Sequence, residues 1–280
     1  MHKPFVYFGT PYVSRDTLAH LLEKGYVPTL VVTSPDALRG RGMVRQPSDT
    51  KAFAIEHALP VVTPEKFDPH VIEGIRAVGA DFAIVVAYGK ILPVPLFTIF
   101  PKGIINIHYS LLPKYRGASP VEGALLAGET TTGVTIQQMA YELDAGDILA
   151  VREVAIEATE TTRELRPRLI QTGAELLIDI LPSFEEGTLS SIPQNHAEAT
   201  FARKIAKEDG LLDLTGDAQS NWNKYRAYAE SPCTYFFVEK GGTKVRVKIK
   251  TATYTQDVFT PDRITPEGKK EMSYADFMRS

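Results

Sequence analysis

Phe82-Ala83-Ile84-Val85-Val86-Ala87, followed by Ile104-Ile105-Asn106-Ile107-His108, is the stretch on which the fold turns. Both runs are apolar and rich in β-branched residues, as strands buried on both faces are. Phe5–Phe8, Thr29–Thr33 and Pro60–Val62 have the same character, and amphipathic stretches at Thr17–Lys24, Thr50–His57 and His70–Val78 lie between them. That alternation predicts βαβ units and a parallel sheet covered by helices. Gly133–Met139 and Ile148–Ile156 read as two further strands. A helix is expected from about Pro167 to about Pro182, with the prolines marking its ends.

The chain has 280 residues, 44% hydrophobic and 23% charged, which is ordinary globular composition. A net charge of −3 excludes a uniformly basic protein but leaves room for a local basic patch. Cys233 is the single cysteine, so no disulfide framework or cysteine-rich metal site is available. The N-terminus is too short in apolar residues for a signal segment, and no run approaches the ~20 residues of a membrane span. A cytoplasmic protein with no membrane association is expected.

After Gly187 the character changes. Leu189–Ala199 is polar and turn-rich and reads as a linker. A short helix around Asp217–Ala229 precedes Thr234–Val238, a Gly241-Gly242 turn and Lys244–Thr251, which together predict a small β-rich module.

Gly9-Thr10-Pro11 after the first strand invites a dinucleotide reading, but G-x-G-x-x-G is absent and Pro11 lacks a backbone donor, which favours a plain tight turn. Asn106 and His108 share one face at the end of a strand, where ligands of open α/β sheets bind. Taken singly, each could equally be a turn cap or a satisfied core histidine.

The residues that follow change this. Asn106-Ile107-His108, then Ser110-Leu111-Leu112-Pro113-Lys114-Tyr115-Arg116-Gly117, then Asp144-Ala145-Gly146-Asp147 resembles the folate-dependent formyltransferase family, with its N-x-H, S-L-L-P-[KR]-[WY]-R-G and D-x-G-D elements in order. The resemblance implies Asn106, His108 and Asp144 as catalytic residues and 10-formyltetrahydrofolate as formyl donor. It places the folate at Val86, Ala87, Tyr88, Gly89 and Ile91, with Ser110, Leu111, Leu112 and Pro113 closing on it. No metal is expected, since no His/Asp/Glu cluster shows ligand spacing.

Flanking features bear on the acceptor amine. Leu38-Arg39-Gly40-Arg41-Gly42 with Pro47-Ser48 and Lys51, and the ending Gly268-Lys269-Lys270-Glu271-Met272-Ser273, resemble the branch of the family that formylates methionyl-tRNA. That implies initiator methionyl-tRNA as partner, contacted by Arg39, Arg41 and Arg45 of an exposed loop and by Lys244, Arg246 and Lys248 of a basic strand face. Met43-Val44 and Asp49 make this loop less basic than is usual in the branch, and the basic strand could instead be a solvated edge. A sugar-nucleotide N-formyltransferase is the alternative, and an inactive RNA-binding relative a third reading. The expected architecture is α/β. A Rossmann-like parallel-sheet formyltransferase domain (1–188) and a linker (189–205) lead to a smaller β-rich C-terminal domain (206–280), an abbreviated OB-like barrel of tRNA-binding type. A monomer is expected.

Overall fold

The computed structural model describes residues 2–40 and 42–279, Arg39 by its backbone alone. In chain order its first elements are β1 Phe5–Gly9, α1 Tyr12–Glu23, β2 Leu30–Val32, β3 Ala37–Arg39, β4 Val44–Gln46, α2 Asp49–Glu56, β5 Val61–Val62 and α3 Pro69–Ala77. Then come β6 Phe82–Val86, α4 Val94–Phe97, β7 Ile104–His108, β8 Arg116–Gly117, α5 Pro120–Leu126, β9 Thr131–Gln138, β10 Ile148–Ala155 and α6 Thr162–Glu186. The C-terminal portion holds β11 Phe201–Ala202, α7 Ala218–Ala227, β12 Tyr235–Lys240, β13 Thr243–Thr255, β14 Val258–Pro266, β15 Met272–Ser273 and α8 Tyr274–Arg279.

Two compact units result. The first comprises Met1–Arg116, Gly133–Val154 and Arg168–Thr200; the second comprises Gly117–Thr132, Ala155–Pro167 and Phe201–Ser280. The first is built on a seven-stranded sheet of order β10-β9-β7-β6-β1-β2-β5. Strands β7, β6, β1, β2 and β5 are parallel. Both faces of β1 are covered: Val6 and Phe8 enter a core with Leu30, Val32, Ile75, Val85 and Leu96. Phe5 turns the other way to stack on Phe82, which meets Phe184 of α6 edge-on.

The sheet is mixed rather than wholly parallel, because β9 runs antiparallel to β7. Between them the chain passes through β8 and α5, and α5 falls in the second unit. α1 begins at Tyr12, five residues before the apolar periodicity, directly after the tight turn at Gly9-Thr10-Pro11. α6 runs unbroken from Thr162 through both Pro167 and Pro182, where the sequence suggests ends. Its buried Leu165, Leu169, Ile170, Ala174, Leu177, Leu181 and Phe184 form an apolar stripe at helical spacing. Each buried leucine contributes about 1.5–3 kcal/mol, enough together to outweigh the hydrogen bonds the two prolines remove.

The second unit holds a four-stranded antiparallel sheet, β12-β13-β14-β15, over a core of Leu212, Phe236, Val247, Ile249, Ile264 and Phe277. Gly241 and Gly242 turn β12 into β13 with φ of 56° and 72°, the left-handed pair a two-residue hairpin needs. The stretch after Thr251, thin in sequence signals, continues β13 to Thr255 and returns as β14. Its turn is Gln256-Asp257, at φ 52° and 59°, a pair without glycine that gives little warning in sequence. Among the described residues no helix is long and apolar enough to cross a membrane.

Candidate active site

The site grows from the carboxyl end of β7. In β7, Ile105 and Ile107 face one side of the sheet, and Gly173 of α6 lies so close that a Cβ there would stand 3.0 Å from Ile107 Cγ2. Asn106 and His108 therefore face the other side. β9 completes this face: in the antiparallel register Gln137 stands opposite Asn106, and Thr135 opposite His108.

Asp144 arrives from the turn after β9. Its φ of 48° is left-handed, a conformation Asp tolerates better than most residues. The turn is pressed onto the end of β9: Gln138 N–H donates to Asp147 O at 2.8 Å, and a Cβ at Gly146 would run into the Gln138 carbonyl. Glycine is required at that place by close approach.

The three residues that the family resemblance singles out are thus brought together. His108 Nδ1 lies 3.7 Å from Asp144 Oδ2, with side chains 6% and 16% exposed. His108 Nε2 is 2.9 Å from the Tyr115 carbonyl, which can only accept, so this nitrogen carries the proton. Asn106 Nδ2 donates to Val85 O at 2.9 Å, and Asn106 Oδ1 accepts from Gln137 Nε2 at 3.2 Å. That orientation leaves the second Nδ2 proton directed by neither bond. Gln137 Nε2 also donates to Asp144 Oδ1 at 3.1 Å.

The loop Ser110–Pro113 is braced against Thr135 of β9. Ser110 Oγ donates to Lys114 O at 2.7 Å, Thr135 Oγ1 donates to Ser110 O at 2.7 Å, and Leu112 N–H donates to Thr135 Oγ1 at 3.1 Å. Ser110 and Leu112 are buried, whereas Leu111 and Pro113 are half-buried. On the neighbouring strand, Val86 is buried, Ala87 and Gly89 are exposed with φ of 46° and 78°, and Ile91 is 87% exposed. Tyr88 is different. Its ring packs against Phe8 and Phe67 in the core, burial pushes its phenol up to about 12, and its backbone carbonyl accepts from Thr10 Oγ1 at 2.9 Å.

Three partners of this site were not singled out from sequence. Gln137 is one. Gln194 is another, from the stretch read as linker: it is buried, and its Nε2 donates to the carbonyls of Asp144 (2.9 Å) and Gly146 (2.6 Å). The third is Arg116, whose Nε (3.1 Å) and Nη2 (2.6 Å) donate to Gln194 Oε1. A polar residue on β9 opposite Asn106 was a usable signal for Gln137; Gln194 offered none.

Of the residues assigned to nucleic acid, Arg41 and the side chain of Arg39 lie outside the described residues. Arg45 is exposed on β4, which pairs with β3 as a short hairpin, Leu38 opposite Arg45. Lys51 Nζ pairs with Asp36 Oδ1 at 2.6 Å. On β13, Lys244 Nζ lies 4.5 Å from the Phe237 ring centroid and the Arg246 guanidinium 3.7 Å from that of Tyr235, while Lys248 is exposed. Among the described residues no group of three or more His, Cys, Asp or Glu could hold a metal.

Comparison with known proteins finds relatives along most of the chain. The formyl transferase family model matches residues 5–181. The methionyl-tRNA formyltransferase of Thermotoga sp. (strain RQ2) is 42% identical over 241 residues, covering 86% of this chain and 77% of that protein. That of Carboxydothermus hydrogenoformans is 39% identical, covering 98% and 95%. Among solved structures, the N-formyltransferase from Helicobacter canadensis, in complex with folinic acid and dTDP-3-aminofucose, shares the fold with a TM-score of 0.63 at 18% identity, over 98% of this chain and 99% of that one. With a parallel-dominated sheet, a C-terminal antiparallel sheet and relatives of this similarity, the chain belongs to the formyl transferase family, among the methionyl-tRNA formyltransferases.

Proposed function

We propose that the chain transfers the formyl group of 10-formyltetrahydrofolate to the α-amine of methionine on initiator tRNA. The convergence of Asn106, His108 and Asp144 at the end of β7 carries this reading. Attack of the amine on the formyl carbon places negative charge on the formyl oxygen. The uncommitted Nδ2 proton of Asn106 is a preorganised donor for that oxygen. His108 holds its Nε2 proton against Tyr115 O, so Nδ1 is the ring nitrogen turned toward Asp144 Oδ2. Two acceptors 3.7 Å apart can take the proton that leaves the attacking amine. The C–N bond to methionine forms, the bond to folate N10 breaks, and N10 recovers a proton.

In the same reading, the exposed backbone at Ala87 and Gly89, with Val86, the Tyr88 backbone and Ile91, receives the pterin, and Ser110–Pro113 covers it. Arg45, Lys244, Arg246 and Lys248 hold tRNA phosphates, and the C-terminal sheet is the nucleic-acid-binding part. The choice of tRNA as acceptor is supported by relatives near 40% identity, such as the Carboxydothermus protein at 39%. Incubation with labelled 10-formyltetrahydrofolate and either methionyl initiator tRNA or an amino-sugar nucleotide tests it: label is expected on the methionine, and label on the sugar alone overturns the tRNA reading.

A further inference from the structure

Gln137 touches both ends of the catalytic group. Its single amide nitrogen donates one proton to Asn106 Oδ1 (3.2 Å) and the other to Asp144 Oδ1 (3.1 Å). The amide cannot be turned over, since its oxygen would then face two acceptors. Gln137 is only 1% exposed, and its Oε1 is buried with no hydrogen-bond partner. A buried acceptor left unmet is destabilising, and an apolar side chain of equal length would not carry that penalty. The fold therefore tolerates an unfavourable group where both of its protons are turned to the site.

On the formyl-transfer reading above, we propose that Gln137 is a positioning residue of the reaction. It turns the Asn106 amide so that Nδ2 faces Val85 O and the reacting centre. It also holds Asp144 Oδ1, while Oδ2 lies toward His108. Its role is the same whichever amine accepts the formyl group.

Gln137→Met keeps length and removes both donors. The expected result in the full chain is a folded protein whose Tm moves little, since one unmet acceptor is removed while Asn106 Oδ1 and Asp144 Oδ1 each lose a donor. Its kcat should be ~10- to 100-fold lower, less than the loss of a direct oxyanion donor, with KM for formylfolate within about twofold. That split between kcat and KM is the readout a merely structural role would not give, since the folded protein still binds formylfolate while transfer slows. Gln137→Glu should lose more activity at pH 8 and regain part of it at lower pH, where the new carboxyl takes a proton and can donate again. Wild-type kcat in folded Gln137→Met overturns the inference, whatever the Tm. Asn106→Ala measured alongside keeps the two claims apart: if transfer survives that change, the site reading itself has failed.

Discussion

The turn that carries Asp144 and the strand that carries Lys244, Arg246 and Lys248, both proposed above to meet substrate, place charge by opposite means. Asp144 is half-buried, with its side chain held by Gln137 and its backbone by Gln194, which Arg116 holds in turn. The cations of β13 lean on Phe237 and Tyr235 or stand in solvent. The first arrangement fixes a few atoms and makes each one matter. The second spreads charge over a strip of long side chains, where each cation contributes a small, salt-screened share.

The largest effect is expected where fixing is tightest. Asp144→Asn keeps size but removes the charge and a proton acceptor; single-turnover formylation should fall roughly 1000-fold, in the range where acid–base and electrostatic contributions combine. A fall below about tenfold would mean His108 takes the proton without help. Gln194→Ala should cost about 1–3 kcal/mol in denaturant unfolding, because Arg116 and two carbonyls lose a buried partner. It should also lower kcat about tenfold as the Asp144 turn loosens, whereas loss of stability at unchanged kcat would make Gln194 a purely structural brace.

The strip should behave otherwise. Removing Lys244, Arg246 and Lys248 together should raise KM for tRNA and flatten its dependence on salt, by up to ~0.9 in log–log slope for each phosphate no longer neutralised. KM for formylfolate should not move. An unchanged salt slope would make the strip a solvated edge. The smallest effect on transfer is expected at Tyr88, whose ring serves the core: Tyr88→Phe should leave kcat unchanged and stability equal or higher by up to about 1–3 kcal/mol, since its buried hydroxyl has no partner. Burial raises that phenol from its ordinary 10.0 to about 12, so its neutral form favours the fold fully below pH 10. That contribution is lost as pH rises toward 12, and the phenolate absorbance gained near pH 12 should be smaller by one tyrosine in the variant.

Much of this was legible in sequence where chemistry and local pattern coincide. The apolar runs of β1, β2, β6 and β7 marked their own positions, and the quoted motifs led to Asn106, His108 and Asp144. The rest depends on tertiary packing. The prolines in α6 looked like ends because local rules ignore the leucine stripe that keeps the helix whole. The Gln256-Asp257 hairpin lacks glycine and so lacked a signal. Gln194 sits 50 positions from Asp144, in a polar stretch that reads like any linker. A contact at that separation is set by the fold alone.

Whether Asn106 meets the transition state rather than the ground state is tested most directly by single-turnover transfer from pre-bound labelled 10-formyltetrahydrofolate to methionyl initiator tRNA, comparing wild type with Asn106→Ala. The account predicts a rate ~100- to 1000-fold slower with the folate Kd unchanged. A variant that binds folate weakly yet transfers at the wild-type rate once bound would contradict it.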